Sequence, residues 1–227
     1  MLPFLLIIVA SLVLFLGPSI WVGYIKKKYS VERDYPGTGG ELAYHLIQRF
    51  QLPGVQVEMT DVGDHYDPNT KMVRLSRQNF NGKSLTAIAT AAHEVGHAIQ
   101  DASHYAPFYR CEIWVRVGIV GEKIGSVGMI LVPVIALLTR APGAMAMALL
   151  IGVIGMGLRV LAHLSTLSVE YDASFNRALP ILKAGAYVSV EDLGSAQIIL
   201  KACALTYVAA ALRNVLNFAY WIRVLRH

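Results

Sequence analysis

The chain has 227 residues, 55% of them hydrophobic and only 15% charged, with a mean hydropathy of +0.50. Soluble domains carry about 25% charged residues, so this composition argues against an ordinary soluble enzyme and for an integral membrane protein. The net charge is +5, but the basic residues are scattered or flank apolar runs, which assigns them to membrane topology and leaves no nucleic-acid partner.

Residues 1–25, MLPFLLIIVASLVLFLGPSIWVGYI, contain no charge. About 20 apolar residues suffice to span a bilayer. The basic cluster Lys26-Lys27-Lys28 follows the run instead of preceding it, so the segment reads as an uncleaved N-terminal anchor, not a signal peptide. The positive-inside rule then puts the lysines in the cytoplasm and the N-terminus outside.

Residues 26–116 are ordinary polar sequence and read as a catalytic domain. Ser30 to Gly40 is loop-like. Glu41 to Phe50 reads as a helix with Leu42, Leu46 and Phe50 on one face. VQVEM and KMVRLS alternate like strands on either side of the turn signal DPNT, Asp67 to Thr70. KMVRLS is either an edge strand able to pair with an extended substrate or part of an ordinary hairpin. Asn81-Gly82 breaks the chain, and Ser84 is a suitable N-cap for a helix from about Leu85 to Gln100.

Residues 117–164 read as a transmembrane hairpin. One span covers Val117 to Leu138, with Glu122 and Lys123 at the interface. Arg140, Pro142 and Gly143 form the turn. The other span covers Ala144 to Leu164, with Arg159 snorkelling near its end. Residues 165–196 are polar again, with a helix around Glu170 that ends at Pro180. Residues 197–227 read as a C-terminal membrane helix, Gln197 to Ile222, interrupted by Lys201 and Arg213. An interfacial or partly buried helix is the competing reading. Cys111 and Cys203 lie far apart, so neither a disulfide framework nor a cysteine metal site is expected. A hairpin at 117–164 returns the chain to the side it left, so the polar segments before and after it share a compartment.

The polar cluster AAHEVGHAIQ, Ala91 to Gln100, interrupts an otherwise apolar helix. Residues four apart share a helix face, so His93 and His97 can hold one metal ion. Glu94 points about 100° away and can instead reach a metal-bound water. This is the zinc-peptidase motif H-E-x-x-H. Burying these groups without a metal would cost several kcal/mol. Catalytic zinc takes three protein ligands and keeps one position open. Candidates for the third ligand are Glu170 in LSVEYDASFNRA, His104 and His163. Glu170 fits best, as a carboxylate on a second helix in the same compartment. Asp101 and Asp172 are candidates to orient the ligands. His104, Tyr105, Arg110 and Tyr171 are candidates to stabilise an oxyanion.

The segments DHYDPNTKMVRLS, NGKSLTAIATAAHEVGHAIQ, LSVEYDASFNRAL and LKACALTYVAAAL, in this order, resemble the small membrane-bound neutral zinc metallopeptidases of prokaryotes, the YugP type. The resemblance covers nearly the whole chain. It implies a zinc-dependent membrane peptidase with one Zn2+ per chain. Its ligands would be His93, His97 and Glu170, and its catalytic base Glu94. The chain also resembles the gluzincins more widely. Those often read E-x-x-x-D, whereas here the fourth position after Glu170 is Ser174 and the acid comes at Asp172.

The expected fold is mainly α: an integral membrane helical protein of three to four transmembrane helices with a small α+β zincin-like catalytic domain. The expected function is a membrane-anchored zinc endopeptidase in a prokaryotic plasma membrane, catalytic loops cytoplasmic, working by Glu94-assisted attack of zinc-bound water. Its partners are a polypeptide substrate and the lipid bilayer, with membrane protein partners or an oligomer left open. Two alternatives are a site-2-type intramembrane protease and a non-catalytic adaptor with a zinc site. The first needs HExxH inside a membrane helix, yet Lys83 and Asp101 flank it. The second needs a fourth protein ligand, often cysteine.

Overall fold

The capping and apolar signals above become the following elements in a computed structural model that describes residues 2–139, 141–209 and 212. In order they are α1 (Leu2–Lys28), α2 (Gly39–Arg49), β1 (Gln56–Thr60), β2 (His65–Asp67), β3 (Met72–Ser76), α3 (Arg77–Asn81), α4 (Leu85–Ala102), α5 (Ala106–Thr139), α6 (Pro142–Ser165) and α7 (Leu167–Tyr171). A π-helical segment (Asp172–Ala178), α8 (Leu179–Ala184) and α9 (Leu193–Ala204) complete the series. The chain is mainly helical with one small sheet. It divides into two compact units: Met1–Ser19 with Arg110–Leu167 and Tyr207–His227, and Ile20–Tyr109 with Ser168–Thr206.

The first unit is built on α5 and α6. The helical runs Ala106–Leu138 and Pro142–Ala184 each contain a stretch long and apolar enough to cross a membrane. The two helices meet through small residues. A Cβ on Gly118 would stand 2.6 Å from the Ala162 methyl, and one on Gly155 would stand 2.3 Å from the Gly121 carbonyl oxygen. Lipid offers apolar side chains no gain from burial against each other, so close backbone approach at small residues is what holds such helices together. The outward faces are correspondingly greasy: Ile124, Leu137, Ile154 and Leu161 are all more than half exposed. Arg159 Nε and Glu122 Oε2 pair across the helices at 3.3 Å. Arg140 of the expected turn lies outside the described residues.

In the second unit, α2 starts at a capping box. Thr38 accepts from the Glu41 amide, and the Glu41 carboxylate accepts from the Thr38 amide at 2.7 Å. Leu42, Ala43, Leu46 and Ile47 form its buried face, while Phe50 falls at the exposed C-cap. The sheet order is β1-β3-β2, with β1 parallel and β2 antiparallel to β3. KMVRLS is therefore the central strand, not an edge. Both of its sides are taken by neighbouring strands, which removes it as a template for a substrate. The hairpin across Asp67–Thr70 joins β3 to the short β2, and Val73 and Leu75 alternate into the core.

The centre of this unit is α4, capped by Ser84, whose hydroxyl accepts from the Ala87 amide. Nearly every residue of α4 is buried, against α2, α9, the sheet and the π-helical segment. The helix around Glu170 does not end at Pro180. It widens into π geometry over Asp172–Ala178 and continues as α8, with Pro180 in its first turn. Proline supplies no N–H and clashes with the carbonyl four residues back, and a wider turn upstream relieves both. Leu179 N–H bonds to Ser174 O, five residues back. α9 is a core helix of this unit, with Ile199, Leu200, Ala202 and Cys203 buried. Apart from Leu212, the expected membrane helix beyond residue 209 lies outside the described residues.

Candidate metal centre

The residues of HEVGH are buried, with His93, Glu94 and His97 each below 8% exposure. The two rings stand 4.7 Å apart and nearly perpendicular. One ligand atom from each of His93, Glu94 and His97 falls within 4.8 Å of the others. Glu170, at the end of α7, closes the cluster. Its Oε2 stands 3.2 Å from His93 Nε2 and 3.5 Å from His97 Nε2. With bonds of about 2.0–2.2 Å, ligand atoms around tetrahedral zinc stand about 3.3–3.5 Å apart. Glu170 Oε2 lies about that far from each of the two imidazole nitrogens.

The hydrogen bonds behind the histidines fix which nitrogen faces Glu170 with a lone pair. Ser174 Oγ donates its one proton to the Leu200 carbonyl at 3.0 Å, so it can only accept from His93 Nδ1, also 3.0 Å away. Gln100 Nε2 donates to Val169 O and to Asp172 Oδ2, which turns its carbonyl oxygen towards His97 Nδ1 at 2.9 Å. Both Nδ1 atoms therefore carry hydrogen, and both Nε2 lone pairs point at the Glu170 carboxylate. Three Lewis bases converging in a buried space repel one another unless a proton or a metal ion lies among them. Burial disfavours a proton on His97, but the adjacent Glu170 charge outweighs it and pushes the His97 pKa up. That proton and a metal ion compete for one place.

Glu94 differs from these three groups. Burial raises its carboxyl pKa, opposed in part by His93 and His97. Among the described residues no hydrogen bond or ion pair anchors its side chain. It is a carboxylate within the cluster that burial holds towards its neutral form.

The other candidate residues are spread more widely. Asp172 supports His97 through Gln100, and Asn176 Nδ2 and Arg177 Nε hold its carboxylate in turn. Asp101 accepts from Tyr66, Lys71 and Tyr109, so it ties the sheet and the start of α5 to α4. His104 sits in a left-handed turn after α4, with its ring stacked on Tyr109. Tyr171 is 56% exposed and packs on Phe175. Arg177 lies over the Tyr105 ring at 5.5 Å. Arg110 and His163 belong to the first unit. Sequence reasoning passed over Gln100 and Ser174 as partners of the histidines. The signals were their spacings, three after His97 and four after Glu170.

Gly96, inside the motif, lets the two helices touch. A Cβ there would stand 2.8 Å from the Ala173 backbone oxygen. Gly96→Ala is expected to push the π-helical segment off α4 and cost about 1–3 kcal/mol. Lower zinc content and a lower thermal midpoint would register it. Unchanged values for both would contradict the tight contact. Ser174→Ala removes the acceptor behind His93 and is expected to weaken zinc binding about 10–100-fold, measured by competition with a chromogenic chelator.

Residues 4–226 match the family model described as "Putative neutral zinc metallopeptidase". The chain is 33% identical over 220 residues to the protein of Bacillus subtilis (strain 168) named "Putative membrane protease YugP", covering 92% of each. No solved structure matches it. A match spanning nearly the whole chain, with HEVGH buried in its central helix, means that this protein belongs to the neutral zinc metallopeptidase family.

Proposed function

We propose that the protein is a membrane-anchored, zinc-dependent endopeptidase of the gluzincin kind. The observation that carries the reading is the convergence of His93 Nε2, His97 Nε2 and Glu170 Oε2, with their lone pairs fixed by hydrogen bonds from behind. These three would hold one zinc ion, and the open fourth position distinguishes a catalytic site from a structural one. When bound, zinc would acidify a water and polarise a peptide carbonyl.

The chain's own residues would do the rest. Glu94, with its pKa raised by burial, takes a proton from the attacking water and passes it to the leaving amine. Gln100 and Ser174 keep both histidines in the tautomer that leaves Nε2 unprotonated. Burial of α4 keeps bulk water from the reacting groups. The uncharged run 1–25, the α5–α6 pair and the lysines after residue 25 support a multi-pass protein with this unit on the cytoplasmic side. The substrate would be a polypeptide reaching that side of the membrane.

The test is cleavage of an unfolded polypeptide such as casein by detergent-purified, zinc-loaded protein. Chelation should abolish it and added zinc should restore it. Cleavage untouched by chelation would sink the metal mechanism.

A further inference from the structure

The last turns of α1, the loop before β2, α3 and the first turn of α4 enclose a cavity of about 450 Å³ within the second unit. Its lining runs from buried Asn79 and Thr86 to exposed Gly23, Lys27 and Gln78. Most of its polar groups are spent on one another. The hydroxyls of Ser30, Ser76 and Thr86 donate to Lys27 O, Asp64 Oδ1 and Lys26 O. Asp64 also accepts from Ser76 N and Asn79 Nδ2.

The two ammonium groups are not spent. Lys26 Nζ stands 3.8 Å from Asp64 Oδ2, beyond hydrogen-bond distance, and its side chain is only 29% exposed. Among the described residues no acceptor takes the protons of Lys26 or Lys27. Donors left over in this way call for a ligand that accepts. Lys26 and Lys27 against Asp64 leave one unmatched positive charge in the lining, the complement of a monoanion.

The place of the cavity along α1 says which monoanion. Residues 1–25 carry no charge. About 20 residues at 1.5 Å each cross the roughly 30 Å of bilayer hydrocarbon. From Ile20 onwards α1 belongs to the second unit, with Val22 and Ile25 in its core. Gly23, Lys26 and Lys27 stand about 5–10 Å beyond a span that ends near Ile20, which is the depth of lipid headgroups. A phosphodiester there carries one negative charge and accepts through its unshared oxygens. Gly23 leaves room beside it, since a Cβ at that position would meet no atom within 4 Å.

We infer that this cavity binds the phosphate of an anionic phospholipid, in the leaflet where α1 ends, with Lys26 as its main donor. The inference rests on the membrane-anchored reading of residues 1–25 and is independent of peptide cleavage.

The test titrates full-length protein in a neutral detergent with short-chain phosphatidylglycerol and counts bound lipid by native mass spectrometry. One molecule per chain should bind, more tightly than phosphatidylcholine with the same acyl chains. Lys26→Gln should weaken binding about tenfold or more, the worth of one charge-assisted hydrogen bond, and Lys26→Arg should keep it. Gly23→Leu, which fills the space without changing charge, should weaken it too. Lys28→Gln removes the same charge outside the lining, where Nζ lies over the Tyr29 ring, and should leave binding unchanged. Thermal midpoints without lipid check that each variant is folded.

Equal losses in Lys26→Gln and Lys28→Gln would mean diffuse attraction of charge and overturn the site. So would equal affinity for phosphatidylcholine, or binding that never saturates. Displacement of the lipid by inorganic phosphate at equal concentration would assign the cavity to a soluble ion and overturn the lipid. The anchor is tested separately by epitope tags ahead of Met1 and at Val62, in the exposed loop before β2, which antibodies should reach from opposite faces of the membrane. Access from the same face removes the span and the inference with it. Opposite faces without saturable phosphatidylglycerol binding overturn the cavity site alone.

Discussion

Glu94→Gln is expected to keep its zinc and lose cleavage by about 10²–10⁴-fold, the usual contribution of a general base. Glutamine has the same shape, and no hydrogen bond or ion pair among the described residues depends on the carboxylate. The glutamate lies about 100° round α4 from His93, so the ligand set should survive the change. What disappears is a group that can take a proton from water. Burial already pushes this carboxyl towards its neutral form, so a neutral amide should not destabilise the fold. The check is a paired measurement of zinc content and kcat. Near-normal cleavage with full zinc would mean that another group is the base.

Glu170→Ala should have the opposite signature, with the metal lost first and activity lost because of it. It leaves two imidazole lone pairs and no third ligand. The loss of affinity should exceed the 10–100-fold expected for an outer partner such as Ser174. It should also be visible without any substrate. A ligand that binds only the folded state raises its stability by mass action. Added zinc should therefore raise the thermal midpoint of the wild type and leave that of Glu170→Ala where it was. Equal zinc-dependent shifts in both proteins would remove Glu170 from the site.

Local signals are legible in the chain. The Ser84 cap and the apolar periodicity of Leu85–Gln100 match α4, because capping and helix faces depend on residues within one or two turns. The motif His93-Glu94-x-x-His97 is visible for the same reason. The spacing of 73 residues between His97 and Glu170 carries no such rule, yet the two meet because α7 and the π-helical segment pack on α4.

Long-range choices leave no such local trace. KMVRLS alternates like any half-buried strand, and nothing local says that β1 joins it in parallel. Gln100 and Ser174 look like ordinary polar residues until Val169 O and Asp172 Oδ2 take the protons of the first and Leu200 O that of the second. Gly96 reads as a weak point in a helix, and its purpose shows only when Ala173 arrives against it. The apolar run that begins at Gln197 reads as a membrane segment, and its first residues, up to Ala204, pack on α4 as part of a core helix.

The most direct test of the account is zinc X-ray absorption on the purified wild-type protein, with elemental analysis of the same sample. The account predicts one zinc per chain, bound by two imidazole nitrogens and one carboxylate oxygen at about 2.0–2.2 Å, with a remaining light-atom ligand from solvent and no sulfur. A zinc–sulfur distance near 2.3 Å, or protein preparations that take up no zinc, would contradict the open His93–His97–Glu170 site.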